Sequence, residues 1–310
     1  YRYNIIYKYT FRHYLYFFIS RTFLGSELMV HAMELRIMNK HVLKKIYSTD
    51  INNVFLQHGV MYMVSLDSES RKYFSPKKDG KGKFRVVTSS QLEADHFTQL
   101  GGYDENQVIV CGLPKYDRNI LYPDADKIVI MLTWRVWEYN QATTDFESTP
   151  YYKMLQRIVS GINDTYREHL VILPHPLFYK SAMNCEFELK KYMQFNVKYD
   201  EILRQTCVLI TDYSSIAYDA FYRGSRVIFY WEELESCLEK YGKNTKLMLN
   251  KDNVFGDICY STKDIEQVID DNYHLEQKKM YQERYNQIVE FHDGKNTKRL
   301  IARLKSEKII

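Results

Sequence analysis

Apolar residues in this chain fall into short continuous runs, each closed by a polar or turn-forming cluster. Val54-Phe55-Leu56 ends in Gln57-His58-Gly59, and Val86-Val87 ends in Ser89-Ser90. Val108-Ile109-Val110 stops at Gly112 and Pro114. After a polar joint at Tyr122-Pro123-Asp124 come Ile128 to Leu132, then Leu170 to Leu173, closed by Pro174-His175-Pro176. Val208-Leu209-Ile210 runs into Asp212-Tyr213-Ser214-Ser215, and Val227 to Tyr230 follows. Runs without polar alternation predict parallel strands buried on both faces.

Between the runs the period shifts to that of a helix. Ser90 and Glu93 have the spacing of a capping box, opening a helix that should end near Gly101-Gly102. Leu155, Ile158, Ile162 and Tyr166 mark a second helix, and Ile216, Ala217, Ala220 and Phe221 a third. From Asp264 the chain reads as helical almost to its end, with a break near Asp293-Gly294. Residues 71–85 hold seven Lys or Arg with one Pro and two Gly, which predicts a mobile basic loop.

A length of 310 residues suits two domains or one large α/β domain. A hydrophobic share of 45% and a charged share of 26% describe an ordinary soluble protein. The net charge of +4 argues against a polyelectrolyte binder, so no nucleic-acid partner is expected. Five cysteines without a CxxC pair argue against a disulfide framework or zinc knuckle and point to reducing cytoplasm. The run Tyr14 to Ile19 is far short of the ~20 residues that span a bilayer. Residues 1–50 nevertheless carry eight Lys or Arg against three acids, interleaved with aromatics. That pattern suits either a solvated helix with core aromatics or an anionic membrane surface. With no initial Met and no signal-peptide layout, the sequence reads as a fragment of a longer protein.

The candidate chemistry shares one position in this pattern. His58, the 133–135 stretch, His175 and Asp212 each follow the carboxyl end of an apolar run, the edge where open α/β sheets bind ligands. Ser214 and Ser215 stand at a helix start, where unpaired N–H groups and the dipole favour an anion. The plainer alternative makes Ser214 only an N-cap. Asp124-Ala125-Asp126 has the form of a metal-binding triplet but sits in a polar joint and reads as linker. His96 and His169 lie on helical stretches and read as structural.

The segments LQHG (56–59), GLPKYD (112–117), LTWR (132–135), ILPHP (172–176), LITDYSSIAYDAF (209–221) and FHDGKNTKR (291–299) are collinear. Together they resemble the CDP-glycerol glycerophosphotransferase family, enzymes that polymerise teichoic acids and related capsule polymers. The resemblance implies an α/β, GT-B-like fold: two Rossmann-like domains with parallel sheets facing a central cleft. The boundaries expected are 1–121 for the acceptor-side domain, truncated at its start, and 122–310 for the CDP-donor domain with its helical tail. It implies transfer of a polyol phosphate, glycerol or ribitol, from a CDP-activated donor to a hydroxyl of a growing polymer, releasing CMP. His58 would be the base and His175 would face the diphosphate. Gly59, Thr133, Arg135, Asp212, Ser214, Ser215, Asp219 and Asn296 would bind the donor. Lys77, Lys78, Lys81 and Lys83 would attract a polyanionic or lipid-linked acceptor, or an anionic leaflet, at the inner face of the cell membrane. No cofactor is firmly implied, and a divalent cation stays open. One departure stands out: Val60-Met61-Tyr62-Met63 replaces the family's usual Thr-Pro-Leu-Lys, removing a cation. A GT-B nucleotide-sugar glycosyltransferase and a non-catalytic polymer-binding subunit are the competing readings.

Overall fold

The computed structural model describes Phe11 and residues 22–25, 52–75, 83–175, 178–183, 188–273 and 275–310. The apolar runs form two wholly parallel sheets. The first contains β1 (Thr22–Gly25), β2 (Asn52–Phe55), β3 (Lys83–Thr88) and β4 (Val108–Val110), in that order. The second contains β5 (Lys127–Ile130), β6 (Leu170–Ile172), β7 (Thr206–Thr211), β8 (Arg226–Tyr230) and β9 (Asp257–Cys259), ordered β6-β5-β7-β8-β9. β7 is central and buried along its whole length, as a strand covered on both faces must be. The longer helices are α1 (Gln91–Gln99), α2 (Pro150–Ser160), α3 (Ile216–Arg223), α4 (Lys279–Ile288) and α5 (Asn296–Ser306). Among the described residues no helix is long and apolar enough to cross a membrane.

The two sheets are joined by residues 60–66. Val60, Met61, Tyr62, Met63, Val64 and Leu66 are all buried. Val64 forms an antiparallel bridge with Leu247, Met248 N donates to Met63 O (2.9 Å), and Tyr218 Oη donates to Tyr62 O (2.8 Å). This seam explains the departure at 60–63, because those side chains are core between the two units. The closing helices also cross back. Glu290 N donates to Ser89 O (3.0 Å) and Asn296 Nδ2 to Leu113 O (3.0 Å), so the tail after 122 packs on the first unit.

Several local expectations are corrected. Residues 71–85 are not one loop: Glu69–Phe74 is a 3₁₀ turn and β3 begins at Lys83. The apolar residues inside the basic stretch cause this. Phe74 and Phe84 are buried, and Tyr103 Oη donates to Phe74 O (2.8 Å). The helical reading from Asp264 breaks a second time before Lys279. There Asn272 Nδ2 donates to Asp257 (2.9 Å), and Gln277 Nε2 reaches the α3 carbonyl of Phe221 (2.7 Å). The Ser90 hydroxyl caps α1 by accepting from Glu93 N, but the Glu93 carboxylate reaches Ser89 N rather than closing the box on Ser90.

Candidate active site

The carboxyl ends of β2 and β7 meet. After β2 the chain turns through Gln57, whose φ of +62° lies in the left-handed region. A non-glycine residue there costs on the order of 1–3 kcal/mol and needs support. Gln57 is buried and its Nε2 donates to Val87 O (2.6 Å). Glu93, also buried, accepts from Met61 N (2.7 Å) and Ser89 N (2.6 Å). Burial pushes the Glu93 carboxyl up, against the pull of those hydrogen bonds. The clamped turn leaves His58 exposed between buried neighbours, its ring 6.2 Å from that of Phe74.

Gly59 then approaches the start of α3. A Cβ at position 59 would lie 3.0 Å from Ser215 Oγ, so any larger residue would press on that hydroxyl and glycine lets the two segments come this close. Ser215 is the N-cap of α3 yet its side chain makes no capping bond, and Ser214 Oγ accepts only a long bond from Ile216 N (3.4 Å). These hydroxyls therefore do little for their own helix. Lys115, from the 3₁₀ turn Pro114–Arg118, reaches across: its Nζ is 2.7 Å from His58 O and 2.6 Å from Asp219 Oδ1. His58, Gly59, Ser215 and Asp219 are thus drawn together around the Lys115 ammonium.

A second group lies at the ends of β5, β6 and β7. Thr133 N (3.0 Å) and Oγ1 (2.6 Å) both donate to the buried Asp212 carboxylate, as does Tyr213 N (2.7 Å). Asp212 therefore ties the β5 and β7 turns together, and its carboxyl is pushed up by burial despite the Thr133 bonds. His175 stacks on Trp134, ring centroids 5.7 Å apart, and burial lowers its pKa to about 4, so its imidazole is neutral at pH 7. In this state it offers hydrogen bonding rather than charge.

Two residues expected at the donor have partners inside the protein. Arg135 is only 1% exposed, and its Nη1 pairs with Glu233 (2.9 Å) and Glu138 (3.3 Å), so its charge is already neutralised inside the protein. Asn296 is fully buried between Leu113 O and Arg299, and its N–H donates to Asp117 (2.7 Å); it fastens α5 to the turn at 114–118. Asp126 pairs with His169 Nδ1 (2.9 Å) and Lys127. Among the described residues no group of three His, Cys, Asp or Glu could hold a metal ion. Lys77, Lys78 and Lys81 lie outside the described residues, and of Lys83 only the backbone, the first residue of β3, is described.

Sequence reasoning missed Lys115, Gln57 and Glu93. Lys115 stood inside the quoted GLPKYD segment, but its partners are 57 and 104 positions away, beyond any local pattern. It also missed a cavity of about 760 Å³ past the ends of β8 and β9, lined among others by Trp231, Glu233, Leu234, Asn250 and Tyr260. Trp231 Nε1 donates to Asp212 O (3.0 Å), which puts this cavity on the same edge.

The sequence profile of the CDP-glycerol:poly(glycerophosphate) glycerophosphotransferase family matches residues 5–306. The minor teichoic acid biosynthesis protein GgaB of Bacillus subtilis (strain 168) is 26% identical over 236 residues, 68% of this chain and 25% of that protein. The chain thus spans about a quarter of the length of this curated relative. Among solved structures, the wall teichoic acid polymerase TagF matches with a TM-score of 0.57 at 14% identity, over 83% of this chain and 68% of that one. A His-to-Asn variant of TagF with CDPG matches with a TM-score of 0.60 at 15% identity, over 98% and 78% of the two chains. At such identities the likeness is one of fold, and the fold is the paired parallel-sheet architecture described above.

Proposed function

This chain belongs to the CDP-glycerol:poly(glycerophosphate) glycerophosphotransferase family, and on that premise we propose that it transfers a polyol phosphate from a CDP-activated donor to a hydroxyl of a teichoic-acid-like polymer. The observation that carries this reading is the close approach of His58-Gly59 to the serine-lined start of α3. The acceptor oxygen attacks the phosphorus bearing the polyol, the P–O bond to CMP breaks, and the acceptor proton passes to His58. A histidine titrates near neutrality and suits that role. The charge gathering on departing CMP is met by the Ser214 and Ser215 hydroxyls and by the positive end of the α3 dipole. Neutral His175 adds a hydrogen bond to the diphosphate from the far side of the Thr133–Asp212 tie.

The nucleoside enters the cavity beyond β8 and β9. The cavity's Glu235 and Glu239 accept from ribose hydroxyls and repel phosphate, which orients the donor with its diphosphate toward Ser214. The acceptor is lipid-linked and held at the cytoplasmic face of an anionic membrane. The basic charge of residues 1–50 and of Lys77, Lys78, Lys81 and Lys83 supports this, each cation adding roughly 1 kcal/mol at such a surface.

The test offers CDP-glycerol and CDP-ribitol separately with a lipid-linked acceptor and measures CMP release. His58→Ala should lose roughly 10²-fold or more in turnover with donor affinity nearly unchanged. Turnover of a nucleotide sugar with UDP or GDP release, and no CMP from either CDP-polyol, would replace this reading with a glycosyltransferase.

A further inference from the structure

We propose that Lys115 is a positioning residue, holding the main chain of His58 in register with α3 by bridging it to Asp219. The inference rests on the reading of His58 as base. The ammonium has three N–H donors, and the His58 carbonyl oxygen (2.7 Å) and the Asp219 carboxylate (2.6 Å) receive two of them. The root of the bridge is rigid. Tyr116, the next residue, is buried with its ring 4.2 Å from that of Tyr222, and Asp117 accepts from Asn296 N (2.7 Å) and Thr297 N (2.8 Å). The far end is rigid too, since Asp219 lies inside α3 and its carbonyl accepts from Arg223 Nη1 (2.7 Å).

The bond goes to the carbonyl of the reacting residue itself, not to its ring. Gln57 fixes the chain just before His58 through Val87, and the Gly59–Ser215 approach limits it just after. Lys115 is the element that ties His58 to the same helix that offers the anion site. An ion pair with side chains 30% and 12% exposed adds only modestly to stability. Its larger consequence is geometric, because a displacement of about 1 Å at a reacting group can cost on the order of 10²-fold in rate.

The experiment compares Lys115→Met, Lys115→Arg, Asp219→Asn and the double variant Lys115→Met with Asp219→Asn. Melting temperature, kcat and KM for CDP-glycerol are read by CMP release, with His58→Ala alongside. Lys115→Met should lose roughly 10- to 100-fold in kcat, with the donor KM near wild type, and Lys115→Arg should recover most of the loss. The double variant leaves no uncompensated buried carboxylate, so its melting temperature should return toward wild type while kcat stays low. Recovery of kcat together with stability in the double variant would make the bridge structural and overturn the proposal. So would a rise in donor KM with kcat kept in Lys115→Met, which would put the ammonium on the diphosphate. An inactive His58→Ala beside a fully active Lys115→Met sinks the Lys115 role alone. An active His58→Ala sinks the base and, with it, anything said to position it.

Discussion

Ser214 and Ser215 illustrate how a residue's role can be read from what it does not do. Side-chain hydroxyls at a helix start normally satisfy the first N–H groups, and losing that cap costs about 1 kcal/mol. Here Ser215 makes no capping bond and Ser214 only a 3.4 Å one. Replacing both with Ala should therefore leave the melting temperature nearly unchanged. It should weaken CDP-glycerol binding by roughly tenfold or more, the scale of hydrogen bonds to a charged group. Calorimetric titration checks this, and unchanged affinity with a clear loss of stability would return the serines to capping. These residues were legible because polar groups interrupt an apolar run where a strand becomes a helix. The strand-end positions of His58 and His175 were legible for the same reason. Arg135 stands at a strand end as read, but it is buried and paired with Glu233 and Glu138. Its neutralising partner Glu233 lies 98 positions away, and no local pattern shows whether a cation is already paired. Lys115 is the converse case, an ordinary lysine whose importance exists only once two distant chains meet.

At the level of elements, the strap between α5 and the turn after β4 decides how the first unit closes. Gly112 has φ +81°, and a Cβ there would lie 2.6 Å from Asn296 Cγ and 3.1 Å from Phe291 Cβ. Gly112→Ala thus combines a left-handed penalty of about 1–2 kcal/mol with overpacking of about 1–3 kcal/mol. Gly102, with φ +75° and nothing within 4 Å of a Cβ, would meet only the first cost. Chemical denaturation should show Gly112→Ala destabilised clearly more than Gly102→Ala, and Asn296→Ala added to Gly112→Ala should recover part of the difference. Equal losses at the two glycines would mean that Asn296 yields freely. The buried strands β2 to β8 were visible as apolar runs, but β1 and β9 were not. β9 is three residues, Asp-Ile-Cys, with only Cys259 buried. It is held by main-chain pairing with the edge of β8 rather than by any pattern of its own. The break near Asp293-Gly294 was legible as a turn signal, but the one before Lys279 was not, since Asn272 and Gln277 bond to a carboxylate and a carbonyl elsewhere in the fold.

The whole molecule is set by the seam along 60–66, and its buried titratable groups make folding depend on pH. His96 is 4% exposed, its ring 5.2 Å from that of Tyr62, whose carbonyl receives the Tyr218 hydroxyl from the second unit. Burial lowers the pKa of His96 from 6.5 to about 4, and that of His175 likewise. Between those values the unfolded chain binds more protons than the folded one. The stability that depends on neutral imidazoles is therefore complete above pH 6.5 and is lost as pH falls toward 4. For His96, the more buried of the two, the loss across that window is on the order of 3 kcal/mol at most. Two buried carboxyls act in the opposite sense. Glu93 and Asp212 are pushed up by burial, so their contribution is present at low pH and declines as pH rises through their folded-state values. The two kinds of group partly offset each other in wild type, and single substitutions should separate them. Urea midpoints taken from pH 7 down to pH 4.5 should fall less steeply in His96→Leu than in wild type, and more steeply in Glu93→Gln. Parallel pH profiles for wild type and both variants would show that neither group changes its protonation on folding, and the seam would then hold by packing alone.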